Sequence, residues 1–138
     1  HLAHGAGSFY VSPYDSAAIM SLDGSGEWAT AYLGHGKGQR VDRLVESYHP
    51  NSLGSFYEAA TEFCGFKPNY DEGKTMGLAP FGDRDRFYPI VKDLVRVDSD
   101  SRIHIDQSFF AYQNWGKQRC SPRFREAFGE ARKPGGPF

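Results

Sequence analysis

Apolar positions in this chain fall in short runs separated by glycine- and proline-rich breaks, a layout that predicts brief strands and helices. Residues 17–23 (AAIMSLD) form an apolar run bounded by turn signals, which predicts a buried strand ending on Asp23. Gly24, Ser25 and Gly26 are the expected turn and residues 27–33 a second strand. Residues 34–38 (GHGKG) are a second turn and residues 40–48 a third strand. Two glycine-rich connections between three strands predict a meander. Ahead of it, Ala3, Gly5, Ala6, Gly7 and Ser8 surround His1 and His4, the composition of a helix or tight turn packed close to neighbouring backbone. As a helix this run is weak, since each interior glycine costs about 1 kcal/mol. Residues 12–15 (SPYD) are a turn.

Past His49, Pro50 and Asn51, Ser52 suits an N-cap, and a helix is expected to about Phe63, with Leu53, Phe56, Tyr57 and Ala60 on one apolar face. Gly65 and Pro68 end it. Residues 71–82 (DEGKTMGLAPFG) read as a short helix interrupted by glycine and stopped by Pro80. Its small residues admit either a ligand, another backbone, or tight packing on the meander. Residues 88–97 read as a helix or strand, and residues 102–106 alternate like a strand that closes a hairpin. Phe109, Phe110, Tyr112 and Trp115 form an aromatic cluster expected in a core. Residues 115–133 are locally basic: Lys117, Arg119, Arg123, Arg125, Arg132 and Lys133 face Glu126 and Glu130, giving a solvated basic helix or a lid over a phosphate.

The chain has 138 residues, enough for one core, and 16 Lys and Arg against 17 Asp and Glu. That near-neutrality provides no global field for nucleic acid or a membrane, and neither is a favoured partner. No apolar run approaches the roughly 20 residues of a membrane helix. The two cysteines, Cys64 and Cys120, are too few for a disulfide framework, which fits a reducing cytoplasm. Gly at 16 and Pro at 8 favour a site built on loops over a plain helical bundle. The chain starts on a His motif without Met and ends on KPGGPF, and so reads as part of a longer polypeptide.

The candidate chemistry lies at the start. Two imidazoles and a carboxylate, here His1, His4 and Asp23, are an ordinary ligand set for a borderline divalent metal. A Gly-x-Gly turn at a strand end, here Gly24 to Gly26, is where main-chain amides can meet phosphate oxygens. The plain alternatives are a pair of polar histidines on one helix face and an ordinary hairpin turn.

These residues carry a resemblance. His-Leu-Ala-His at 1 to 4, Asp23-Gly-x-Gly-Glu-Trp28, Ser52-Leu-Gly54 with Tyr57 and Gly65-Phe66, Lys74-x-Met-Gly-Leu-Ala-Pro-Phe-Gly82, and Phe128-Gly129 with Arg132-Lys-Pro134 occur together and in order. The chain in this respect resembles the O-carbamoyltransferases of the nodulation-factor and antibiotic-tailoring family. The N-terminal part of that family is similar to the tRNA threonylcarbamoyl transferases. The resemblance implies an α/β fold, the central part of an actin-like ATPase domain with ribonuclease-H-like halves, with residues 1–138 incomplete at both ends. It implies two stages: carbamoyl phosphate and ATP give carbamoyl adenylate with loss of pyrophosphate, then an acceptor hydroxyl takes the carbamoyl group at a metal site, iron in the family. The metal would act as Lewis acid and template.

Position by position, His4 matches the last His of the family's His-His-x-x-His motif and Asp23 its strand-end ligand, so both are expected to bind metal. His1 matches the middle His and is a neighbour of the site. The motif's first His would precede residue 1, and a further carboxylate ligand would lie beyond residue 138. Gly24, Gly26 and Glu27 match the nucleotide-phosphate turn, with Glu27 orienting a hydroxyl or a water. Lys74 and Gly77 match a second motif assigned to the nucleotide; where the family has Gly-Glu-Tyr before that Lys, this chain has Asp71, Glu72 and Gly73. The isolated chain is expected to be inactive and prone to self-association through uncovered apolar faces. The acceptor is a small molecule bearing a hydroxyl. Two other functions remain open at this point: a tRNA-modifying relative of the same fold, and a non-catalytic nucleotide-binding or interaction domain.

Overall fold

The computed structural model of the chain describes residues 1–114 and 118–137. The predicted place of Trp115 in the aromatic cluster and of Lys117 in the basic stretch lies outside the described residues. The chain divides into two compact units, His1–Gly54 with Val97–His104, and Ser55–Arg96 with Ile105–Phe138.

The first unit holds α1 (Leu2–Tyr10) and the strands β1 (Ser16–Gly26), β2 (Ala29–Lys37) and β3 (Arg40–Tyr48), antiparallel in the order β1-β2-β3. This is the expected meander, with β3 at its predicted limits. Phe9, Ile19 and Tyr32 form its core, with Ala17 and Val41 against them. Glycine at 5 lets α1 lie close to the sheet: a Cβ there would come within 3.0 Å of Ile19.

Three expectations for these strands need correction. β1 is not a buried strand: Ile19 is buried, but Met20 and Leu22 are 68 and 44% exposed. Alternate residues of a strand point to opposite faces, and Ile19, with Ala17 beside it, faces the Phe9 and Tyr32 cluster while Met20 and Leu22 do not. The first turn is not at Gly24 to Gly26, which stay in β1 as an irregularity in the register between Leu22 and Gly26; the turn is Glu27 and Trp28, with Glu27 at φ 63°. Nor is there a turn from Gly34 to Lys37. These residues continue β2, and Gly36 makes room for the Phe9 ring, 2.6 Å from where its Cβ would lie. Glycine inside a strand here marks close approach.

In the second unit α2 (Leu53–Phe63), which begins in the first, runs to its predicted end. Gly65 lies in the left-handed region at φ 76° and closes α2 with paired bonds, Phe66 N–H to Thr61 O and Gly65 N–H to Glu62 O. The predicted face is borne out in part: Phe56 packs into the core and Leu53 and Ala60 are half-buried, but Tyr57 is exposed, and Ala59 and Thr61, outside that face, are fully buried. Phe56 stacks on Phe110, and the Ala59 carbonyl accepts the Cys120 thiol. There follow α3 (Glu72–Leu78), α4 (Arg84–Leu94), the hairpin of β4 (Val95–Val97) and β5 (Ile103–Ile105), of which Val97, Ile103 and His104 belong to the first unit, and α5 (Pro122–Phe128). Phe109, Phe110 and Tyr112 are buried, as expected of the aromatic cluster, and Phe56, Phe63, Phe124 and Phe128 pack ring against ring with Phe110 in the same core.

The basic stretch is not a solvated helix. Arg119 is wedged between Glu58 and Glu62 at 3.2 and 3.1 Å, and Arg132 donates to the Cys64 carbonyl at the C-terminal end of α2, where cations are favoured. Among the described residues no helix is long and apolar enough to cross a membrane.

Both cysteines are free. Cys120 is 6% exposed and burial pushes its thiol up to about 12; burial also raises that of half-buried Cys64. Since the thiolate is the reacting form, Cys120 is expected to resist alkylation at pH 8 in the folded protein and to react once urea unfolds it. Mass-spectrometric mapping of the modified cysteine checks this, and rapid native labelling of Cys120 would contradict it.

Candidate functional site

The corner at Asp23 is shaped by main-chain contacts. The Asp23 carboxylate accepts the Gly24 N–H at 2.7 Å, folding back on the main chain of its own strand. Ser52, fully buried ahead of α2, points its hydroxyl at the carbonyls of Gly24 (2.7 Å) and Asp23 (3.2 Å). Gly54, in the first turn of α2, touches the same segment: a Cβ there would lie 2.7 Å from the Asp23 carbonyl carbon and closer still to Gly24. The loop leading to Ser52 contains a cis His49-Pro50 bond and is tied to β2 by the buried Thr30 hydroxyl, which donates to Asn51 O at 2.6 Å.

His1 lies across the next two residues of this corner. Its Nε2 lies 2.8 Å from the Ala29 carbonyl, which can only accept, so Nε2 donates there, and Nδ1 is hydrogen-bonded to the Ser21 hydroxyl at 3.0 Å. A Cβ on Gly26 would meet the His1 ring at 2.8 Å. Glu27 stands at the hairpin tip with φ 63°, exposed, beside Trp28 at 82% exposure.

His4 is on α1 with its ring exposed, its main-chain carbonyl accepting from Ser8. Among the described residues the His4 ring makes no hydrogen bond or ion pair with Asp23, and no group of three or more His, Cys, Asp or Glu side chains gathers to hold a metal. An imidazole and a half-buried carboxylate suit a borderline divalent cation in kind, but not in number, for a complete centre.

Lys74 and Gly77 belong to the second unit, on α3. Lys74 pairs with Asp71 at 2.8 Å, and this ammonium, with the Lys67 N–H, holds the Asp71 carboxyl below its usual range. Phe66, Lys74, Gly77, Leu78 and Phe81 line an open, largely apolar cavity of about 590 Å³. A Cβ on Gly73 or Gly77 would meet no atom within 4 Å, so neither glycine serves tight packing. Glu72 accepts the Asn69 N–H at 2.6 Å, a local contact at the start of α3.

Sequence reasoning missed the clamp and the His1 contacts. Gly54 in the first turn of a helix was the available signal, because a glycine there weakens the helix unless another backbone needs the room. Ser21 gave none.

With this geometry in view, comparison with known proteins is informative. Residues 1–133 match the family model for the carbamoyltransferase N-terminus. An uncharacterised protein, sll1178, of Synechocystis sp. is 37% identical over 133 residues, 96% of this chain and 22% of that protein. Nodulation protein NolO of Bradyrhizobium diazoefficiens is 32% identical over 111 residues, 78% of this chain and 20% of its own. Nodulation protein NolNO of Sinorhizobium fredii is 36% identical over 111 residues, 78% of this chain and 16% of its own. The chain thus spans about a fifth of the length of the curated relatives it matches.

Removing the Ser52 hydroxyl leaves two carbonyls of the Asp23 corner short of a buried donor. Ser52→Ala is expected to lower stability by about 1–3 kcal/mol, read from the urea midpoint, and a loss near zero would show that the hydroxyl does not hold the corner.

Proposed function

The chain belongs to the carbamoyltransferase N-terminal family, and from that membership we propose that it is the central part of an ATP-dependent O-carbamoyltransferase domain. The observation that carries this reading is the family match over residues 1–133, which includes every residue of the Asp23 corner. On this reading the domain is a segment of an actin-like ATPase fold, incomplete at both ends, that works in the cytoplasm within a longer protein. Alone it is inactive and self-associates.

The substrates are ATP and carbamoyl phosphate. The species handed on is carbamoyl adenylate, and the acceptor is a small-molecule hydroxyl. In the transfer step the acceptor oxygen forms a bond to the carbamoyl carbon, the bond to the adenylate phosphate oxygen breaks, and AMP leaves with the electron pair as the hydroxyl proton is released. His4 and Asp23 supply two donors to a divalent metal, iron by family resemblance, with the others coming from the longer protein. When bound, that ion supplies Lewis-acid polarisation. The amides of Ser25 and Gly26 face the phosphate, the Gly24 N–H being held by the Asp23 carboxylate; Glu27 orients the acceptor hydroxyl or a water, and Lys74 with Gly77 contacts the nucleotide. The clamp by Ser52 and Gly54 supports this assignment, since a fixed main chain suits a pre-organised anion contact.

The test is carbamoyl-phosphate-dependent exchange of pyrophosphate into ATP, carbamoyl transfer, and metal content, measured on the full-length protein beside His4→Ala and Asp23→Ala. Each variant is expected to lose bound metal and at least about 100-fold in transfer while keeping its circular dichroism. Unchanged metal and transfer in both would make these residues structural and the reading wrong.

A further inference from the structure

Resting on the assignment of residues 23–27 as the transfer corner, we propose that His1 is a positioning residue for that corner and that position 26 is glycine to seat its ring. Three contacts converge on this. The His1 ring occupies the space a side chain at Gly26 would need, 2.8 Å from the ideal Cβ. Its Nδ1 is hydrogen-bonded to the Ser21 hydroxyl on β1, and its Nε2 donates to the carbonyl of Ala29 on β2. Ser21 lies before the register irregularity of β1 and Ala29 just after the hairpin tip, so the ring spans the segment from both ends.

The regular ladder cannot do this work. β1 and β2 pair at Leu22 with Ala31 and again at Gly26 with Ala29, and the residues between, Asp23 to Ser25, lie outside that ladder. Ser52 and Gly54 fix the Asp23 and Gly24 end of this stretch. His1 fixes the Gly26 end. A half-buried imidazole with both nitrogens engaged in the clip does not need to touch substrate to set where the amides of Ser25 and Gly26 and the Glu27 side chain lie.

Steady-state kinetics of the full-length protein test this, with His1→Ala, His1→Gln, Gly26→Ala, the double variant His1→Ala/Gly26→Ala, and Asp23→Ala as reference, each assayed well below its melting temperature. His1→Ala and Gly26→Ala are each expected to lower kcat/KM for carbamoyl adenylate in the transfer step about tenfold or more. The double variant is expected to lose no more than the worse single, because both changes remove one shared contact. His1→Gln, which keeps a donor for the Ala29 carbonyl, is expected to recover part of the loss. If Gly26→Ala does not fold, the two His1 variants decide alone. Kinetics of His1→Ala within about twofold of the parent, with only its melting temperature lowered, would overturn the positioning role, as would losses that multiply in the double variant. Asp23→Ala separates the two failures: if it is inactive while His1→Ala is unaffected, the positioning role alone falls; if it keeps full transfer, the corner assignment falls and takes the positioning role with it.

Discussion

The contact on which the candidate site depends is the one between the main chain at Asp23 and Gly24 and the start of α2. Ser52 brings a buried hydroxyl to both carbonyls, and Gly54 brings bare backbone where even a methyl group has no room. A β-strand that leaves its ladder loses the regular pairing of its amides and carbonyls, and that loss is tolerable only if other groups replace it. Here the Ser52 hydroxyl serves the Asp23 and Gly24 carbonyls and the Asp23 carboxylate takes the Gly24 N–H, while Gly54 and His1 pack against the stretch. The result is a short stretch held from outside the sheet, which is what separates it from an ordinary hairpin.

The rest of the first unit follows from packing α1 on one face of the meander. Phe9 reaches over Gly36, and Gly5 lets the helix settle near Ile19 and Tyr32. The same helix carries His4 on its exposed side and follows directly on His1, so the residues of the opening motif part in two directions: one ring engaged with the strands, the other in solvent. In the second unit the aromatic core around Phe110 and Phe124 and the arginines at α2 supply the order, and Lys74 is held by Asp71 beside an apolar cavity.

Much of this was legible in the sequence. The three strands, the limits of β3, the end of α2 at Gly65 and the aromatic core follow from apolar periodicity and glycine capping, which are local signals. Glycine misled where its meaning was not local. Gly24, Gly26, Gly34 and Gly36 look like turn residues, yet all four lie in strands, and the reasons that can be named at Gly26 and Gly36 are rings from His1 and Phe9, distant in sequence. The basic stretch misled for a related cause, because Glu58 and Glu62, which neutralise Arg119, lie about sixty positions away. For the site, residue types pointed to the Asp23 corner, but the groups that hold it, Ser21, Ser52 and Gly54, could be found only in three dimensions.

The most direct measurement is a crystal structure of the full-length protein with a non-hydrolysable carbamoyl adenylate analogue and divalent metal. The expected result is the analogue's phosphate-like group within hydrogen-bonding distance of the amides of Ser25 and Gly26, with the metal on His4 and Asp23. An analogue bound in an ordered site that touches none of residues 23–27, with the metal held by other side chains, would contradict it.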